Sequence, residues 1–346
     1  MVLATLWSDG SKENNSTWWL IWHIFVILNP MHLLTKSLLI LPVWLLTSTA
    51  IAQSLLYSRA FGKETNDPVI FLHGGPGSSS VYFEATTAQM LADQGFYVII
   101  YDRRGEGRSK DPDAKMNYDE FFQDLNSIFE KYRIKRSNLI GFSFGGLVTT
   151  LYAEKYPEKV KSIVLTSALI SQQASYNTIL NSVESIYTRQ KDTASIHSVV
   201  KIRKMDTHSL PYRTEVFNHA SRNGFFSLQE PDSAAALIYS RYNSDKLITS
   251  YVKNEKAVEA FWKNEKLKNI DITPALKKLI ARKIPVYAVY GKQDGLYSEK
   301  QIADLRLLVG EQRLKYLDNC SHTVFVDQQS QFIGALSGWL KENLLK

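Results

Sequence analysis

A serine between glycines, an acid on a loop and a histidine near the C-terminus are the side chains of this 346-residue chain best placed to do chemistry. In Asn138-Leu139-Ile140-Gly141-Phe142-Ser143-Phe144-Gly145-Gly146 an apolar run meets a Gly-x-Ser-x-Gly turn just before a helix-like segment. A strand that becomes a helix within a few residues forces the serine into a strained backbone conformation. Gly141 and Gly145 make room, and the hydroxyl is left exposed at the tip, as a nucleophile requires. Upstream, Pro68 to Leu72 reads as a short buried strand running into His73-Gly74-Gly75-Pro76-Gly77, whose amides can approach a substrate closely. Acyl transfer needs two preorganised N–H donors where negative charge develops. The amides of Phe144 and Gly75 are the expected pair, with Gly74 as a substitute. Downstream, the strand-like Ile284 to Tyr290 empties into a loop carrying Asp294, and Cys320-Ser321-His322 follows a second apolar segment. His322 would take the Ser143 proton and return it to the leaving group, while Asp294 would fix the imidazole tautomer. Asp294 is preferred to Asp304 and Asp318 because it follows the strand at once.

These residues need a scaffold, and the rest of the chain supplies its outline. Val98 to Tyr101 reads as a buried strand. Tyr118 to Tyr132 carries Phe121, Phe122, Leu125, Ile128 and Phe129 at helical spacing, and the serine strand comes next. Such alternation predicts an α/β fold, a mostly parallel sheet with helices on both faces. The order Ser, Asp, His, with acid and histidine after late strands, is that of an α/β-hydrolase. The alternation stops between residues 168 and 282, where the sequence reads as helical with scattered aromatics. This is the expected place for a helical lid, leaving 53–167 and 283–346 as the α/β core.

Taken together, His73 to Gly77, Tyr101-Asp102-Arg103-Arg104-Gly105-Glu106-Gly107-Arg108-Ser109 and Gly141 to Gly146 resemble the motifs of the proline iminopeptidases, a serine aminopeptidase group of the α/β-hydrolase superfamily. The resemblance runs from about Tyr57 to the C-terminus. It implies an acyl-enzyme mechanism and release of an N-terminal proline or other small residue. In that family, lid glutamates near tryptophans receive the substrate's free amine; Glu184, Glu215 and Glu230 are candidates by location. The chain departs from the pattern at Phe144, where tryptophan is common, and at Arg103, where glutamine is usual. A second reading is a carboxylesterase or related carbonyl hydrolase, and a third a non-catalytic binding protein on the same scaffold. A buried glutamate pair close to Ser143 would mark the aminopeptidase, and an apolar pocket the esterase.

Composition narrows the alternatives. Hydrophobic residues make up 45% of the chain, enough for a sizeable core. The net charge of +7 is spread among interspersed acids, which predicts no nucleic-acid partner. Residues 168–282 hold 17 basic and 11 acidic residues, and so six of the seven net charges, an unfavourable balance for capturing an amine. The seven histidines lack metal-ligand spacing, so neither metal nor cofactor is expected. The single Cys320 excludes an internal disulfide and reads as a buried brace for the histidine loop. Arg103, Arg104 and Arg108 fit a turn held by internal hydrogen bonds better than an anion site.

At the N-terminus, Met31 opens a segment with His32 and Lys36, an apolar run from Leu38 to Leu46 and the small-residue site Ala50-Ile51-Ala52. This reads as a signal peptide cleaved after Ala52, with residues 1–30 a misassigned start, and predicts a periplasmic or secreted protein. The rival is an uncleaved anchor built from this run and Trp18 to Leu28. Membrane contact is expected only through this leader.

Overall fold

The computed structural model describes residues 56–266 and 268–342; the leader segments read at 1–30 and 31–52 lie outside the described residues. Seven strands form one sheet: β1 (Ser58–Phe61), β2 (Asp67–Leu72), β3 (Phe96–Tyr101), β4 (Ser137–Phe142), β5 (Val160–Thr166), β6 (Val286–Gly291) and β7 (Leu314–Leu317). Their order is β1-β3-β2-β4-β5-β6-β7, with β1 antiparallel to β3 and every other pairing parallel. All six residues of β3 and of β6 are buried, as in strands covered on both faces. Successive side chains serve opposite layers. Ile70, Leu72, Leu139 and Leu165 enter one core, and Val69, Phe71, Ile140 and Val164 the other.

Helix α1 (Tyr118–Lys131) starts at Asn117, whose side chain accepts the Glu120 N–H, and it buries the aromatic and aliphatic positions expected from the spacing. Helix α2 (Phe144–Lys155) follows Ser143 directly and is buried along most of its length. Between β5 and the last helix before β6 the chain inserts α3 (Gln172–Gln190), α4 (Thr193–Arg203), α5 (Leu210–Arg222), α6 (Ser233–Ser240), α7 (Lys246–Thr249) and α8 (Ala257–Asn264). The first five open on a Ser or Asp side chain that accepts an early helix amide: Ser171, Asp192, Ser209, Asp232 and Asp245. Each α-helix N-terminus leaves such amides unpaired, so these caps break the segment into short helices at defined points. Helix α9 (Thr273–Ala281) packs on α2 and β6, and so belongs to the layer on the sheet although the sequence reading places it in the lid. Helices α10 (Glu299–Val309), α11 (Val324–Asp327) and α12 (Gln329–Glu342) complete the chain. Among the described residues no helix is long and apolar enough to cross a membrane.

The strand order fixes where chemistry can occur. From β2 the chain moves outward to β3, then crosses back to β4 on the other side of β2. Loops leaving the carboxyl ends of β2 and β4 therefore diverge and open a crevice at the switch point. Leu72 lies opposite Gly141, so the His73 loop and Ser143 leave the sheet side by side.

Candidate active site

Ser143 sits between β4 and α2 with φ 52° and ψ −119°, in a region that a residue with a side chain rarely occupies. Such a conformation costs on the order of 1–3 kcal/mol and persists only where the surroundings enforce it. Here the Ser143 N–H donates to the Thr166 carbonyl at 2.9 Å, and its own carbonyl accepts the Gly146 N–H at 3.0 Å. A Cβ on Gly141 would lie 2.6 Å from Thr149 Oγ1 and 2.7 Å from the Gly145 carbonyl oxygen, so the turn admits no side chain there. Ser143 is half-buried, and its hydroxyl has no hydrogen-bond partner among the described residues.

Asp294 lies in the loop after β6 and His322 in the loop after β7. Both are buried, and His322 Nδ1 meets Asp294 Oδ2 at 2.8 Å. The other carboxylate oxygen, Oδ1, accepts the Leu296 N–H at 3.1 Å. With Nδ1 donating to the acid, Nε2 is the ring atom free to accept a proton. The two loops brace each other: the Gln293 N–H donates to the Cys320 carbonyl, and the Cys320 N–H to Gln293 Oε1, both at 2.9 Å. Cys320 is wholly buried, and burial, with Asp327 and Asp294 adding to it, pushes its thiol well above the usual range. Aromatic rings surround His322, with centroid distances of 5.2 Å to Phe142, 5.5 Å to Phe226 and 6.5 Å to Tyr297.

The glycine loop after β2 closes the other side. Gly74 faces Ser143, for a Cβ placed on it would lie 3.3 Å from the Ser143 Cβ. Gly75 has φ +123°, and a Cβ there would approach the Gly77 nitrogen within 3.0 Å and both Arg103 and Glu106 within 3.1 Å. The amides of Gly74 and Gly75 make no hydrogen bond among the described residues. The Phe144 amide belongs to the first turn of α2, where a helix leaves N–H groups unpaired. Its ring is buried, with the Phe261 ring 4.8 Å away. The departure from tryptophan at this position thus changes a core contact while leaving the amide in place.

The arginine-rich loop after β3 is internally satisfied. Arg104 bonds Asp124, with Nη2 3.0 Å from Oδ1, and Arg108 bonds Asp102 and Glu84 at 2.7 and 2.6 Å. Burial alone would raise the Asp102 carboxyl, but the Arg108 hydrogen bond, the neighbouring charges and the Ser80 hydroxyl hold it below its ordinary value.

Of the three glutamates considered for amine recognition, Glu184 bonds Arg203 at 2.7 Å with 39% of its side chain exposed, and Glu230 is exposed. Glu215 is half-buried on α5, and its charge acts on His219 of the same helix. The structure does not gather them into a buried cluster. Other contacts around the loops of the site carry no signal in the sequence. Asp327 accepts the Ser321 N–H at 2.7 Å and the Tyr239 hydroxyl at 2.6 Å, tying the histidine loop to the inserted segment. From the same segment, the Phe225 carbonyl accepts the Gly295 N–H at 3.1 Å, and the Phe226 carbonyl the Ser321 hydroxyl at 3.3 Å. Tyr251 and Asn254 both donate to the Gly77 carbonyl at 3.0 Å. The inserted helices thus touch the acid, histidine and glycine loops alike. Among the described residues no group of three or more His, Cys, Asp and Glu is arranged to hold a metal.

The chain resembles known proteins over most of its described length. The chain is 25% identical over 292 residues to a proline iminopeptidase of Lactobacillus acidophilus, covering 82% of this chain and 94% of that protein. Among solved structures, proline iminopeptidase from Mycobacterium smegmatis superposes with a TM-score of 0.58 at 17% identity, covering 84% of this chain and 95% of that one. An esterase from Exiguobacterium antarcticum superposes with a TM-score of 0.55 at 19% identity, covering 83% and 95%. The motifs, the mostly parallel sheet and a family model described as alpha/beta hydrolase fold that matches residues 67–329 lead to one conclusion: the chain belongs to the alpha/beta hydrolase fold family.

Proposed function

We propose that this hydrolase is a serine enzyme working through an acyl-enzyme on Ser143. The observation that carries the reading is Ser143 held at positive φ beside unpaired amides, with a buried Asp294–His322 pair on the adjoining loops. Ser143 Oγ attacks the substrate carbonyl carbon while His322 Nε2 takes its proton. The amides of Phe144 and Gly75 hold the oxyanion, and the imidazolium then protonates the leaving group. Water attacks the acyl-enzyme by the same route and releases the acid. Catalytic hydrogen bonds often tighten only once substrate is bound, which accommodates the unpartnered Ser143 hydroxyl.

For the substrate, likeness to the Lactobacillus proline iminopeptidase over nearly its whole length supports release of an N-terminal proline or other small residue from peptides. A specific observation favours the second reading, ester hydrolysis. Every carboxylate buried among the described residues already has a donor: Glu84, Asp102, Glu106, Glu120, Asp124, Asp294 and Asp327. None of them lies in residues 168–282. A free α-amine would need a carboxylate that is not already committed, whereas the rings about His322 suit an uncharged acyl group.

The deciding experiment compares hydrolysis of prolyl, alanyl and N-blocked prolyl amides with a short-chain ester, using protein from Gln53 onward and its Ser143→Ala variant. Cleavage of the free-amine prolyl substrate alone establishes the aminopeptidase. Ester turnover indifferent to the amine establishes the esterase, and activity surviving in Ser143→Ala refutes both. Export through residues 31–52 is part of the proposal; N-terminal sequencing of the mature protein should begin at Gln53, and a chain retaining Met31 would contradict it.

A further inference from the structure

Arg103 is wholly buried, and a buried guanidinium without partners would cost several kcal/mol, so the destinations of its N–H groups are informative. Nε donates to Glu106 Oε2 at 2.6 Å, Nη1 to the His73 carbonyl at 2.6 Å and Nη2 to the Gly74 carbonyl at 2.5 Å. Glu106, itself buried, accepts the Gly77 N–H through Oε1. The ion pair thus grips the glycine loop at two successive carbonyls and at the amide that follows Pro76. Burial and the adjacent Arg103 hold the His73 imidazole well below its ordinary value, so no second cation competes there.

The two gripped carbonyls have a geometric consequence. In a trans peptide the C=O and the following N–H point in opposite directions. The His73 carbonyl shares its peptide plane with the Gly74 N–H, and the Gly74 carbonyl shares its plane with the Gly75 N–H. A guanidinium fork that draws both oxygens toward itself turns both N–H groups away. Those are the two unpartnered amides of the loop that faces Ser143. The same guanidinium lies 5.3 Å from the Phe144 ring centroid, so it also touches the residue carrying the other donor. Glu106 neutralises the charge, leaving orientation as the main contribution, together with polarisation of the two carbonyls, which strengthens the donors.

We propose that Arg103 and Glu106 are positioning residues that turn the Gly75 amide, with its neighbour Gly74, toward the oxyanion position it shares with the Phe144 amide, a proposal resting on the acyl-enzyme reading above. The test is the double variant Arg103→Gln/Glu106→Gln, which leaves no unpaired buried charge, alongside Arg103→Lys, which keeps the charge but lacks the fork. Each is measured for kcat, KM, melting temperature and inhibition by a boronic acid, whose serine adduct carries a negative oxygen.

Both variants are expected to keep KM within about 3-fold while kcat falls at least about 30-fold, with boronate affinity weakened in proportion, because removing one oxyanion donor costs about 10²–10³ in rate. Near-wild-type kcat in the folded double variant would overturn the proposal, as would full activity in Arg103→Lys. Arg103→Lys alone decides the matter if the double variant does not fold. Ser143→Ala, assayed in parallel, separates the failures: activity surviving there refutes the acyl-enzyme reading, whereas an inactive Ser143→Ala beside an unimpaired double variant refutes the positioning role only.

Discussion

Replacing Asp294 by asparagine preserves the shape of the side chain but removes one acceptor, and the structure shows why that matters. Asp294 Oδ1 accepts the Leu296 N–H at 3.1 Å while Oδ2 accepts His322 Nδ1–H at 2.8 Å. Asparagine has one oxygen and one amino group for these two donors. If the oxygen stays on Leu296, the amino group faces Nδ1 and can bond it only when Nδ1 has lost its proton. That proton then occupies Nε2, the atom that in the proposed mechanism accepts the one from Ser143. If the amide flips, its amino group opposes the Leu296 N–H in a site only 3% exposed, and His322 also loses the carboxylate that stabilises its charged form. In the first arrangement the general base is lost, and in the second it is weakened while two buried N–H groups are set against each other. The expected fall in kcat is about 10³–10⁴-fold, or about 4–5.5 kcal/mol of transition-state stabilisation. Steady-state kinetics on the best substrate of the panel, with a thermal melt to establish folding, provides the assay. KM should stay within about 3-fold, since the acid touches no substrate. A folded Asp294→Asn enzyme within about 10-fold of wild-type kcat would refute the assignment of the acid.

Three further predictions follow from individual contacts. Gly75→Ala should lower kcat by about 10²–10³-fold and leave KM nearly unchanged, because its Cβ must displace the loop that presents an oxyanion donor; unchanged kinetics would remove Gly75 from that role. Asp327→Ala should lower kcat roughly 10-fold or more and destabilise the fold by about 1–3 kcal/mol in urea titrations, whereas Tyr239→Phe, which leaves Ser321 held, should cost about 1 kcal/mol with kcat nearly intact; equal effects would deny that Asp327 positions the histidine loop. Because Cys320 is buried and its thiol is raised, native protein at about pH 8 should resist iodoacetamide while urea-unfolded protein is alkylated, as mass spectrometry would record; rapid native labelling would contradict that environment.

What the sequence made legible is what depends on local chemistry. The glycines about Ser143 announce a turn that no other residue type could make, and the strand-helix-strand alternation around it implies a parallel sheet. The aromatic spacing from Tyr118 to Phe129 predicts the helix face that enters the core, and those residues are buried. Asp294 stands directly after a strand, so its loop could be placed without knowing the fold. Less was legible wherever partners are far apart in the chain. Asp327 reads as an ordinary acid at the end of an apolar run until Tyr239, 88 residues earlier, is found donating to it. Phe225 and Phe226 carry no motif, yet their carbonyls brace loops 70 and 95 residues further along the chain. The three glutamates could be chosen only by location, because helix periodicity does not say what a helix face meets. In the sequence Arg103 is a departure from a pattern and a member of an internally hydrogen-bonded turn, but which carbonyls it holds is visible only once those of His73 and Gly74 are seen on either side of its fork.

The central claim is that Ser143 is the nucleophile, and the most direct measurement is covalent labelling with a fluorophosphonate, which modifies activated serines. Intact-mass and peptide mass spectrometry should find one adduct per chain, on Ser143, appearing at the rate at which activity disappears and absent from Ser143→Ala. An adduct on another residue, or loss of activity with Ser143 unmodified, would contradict the account.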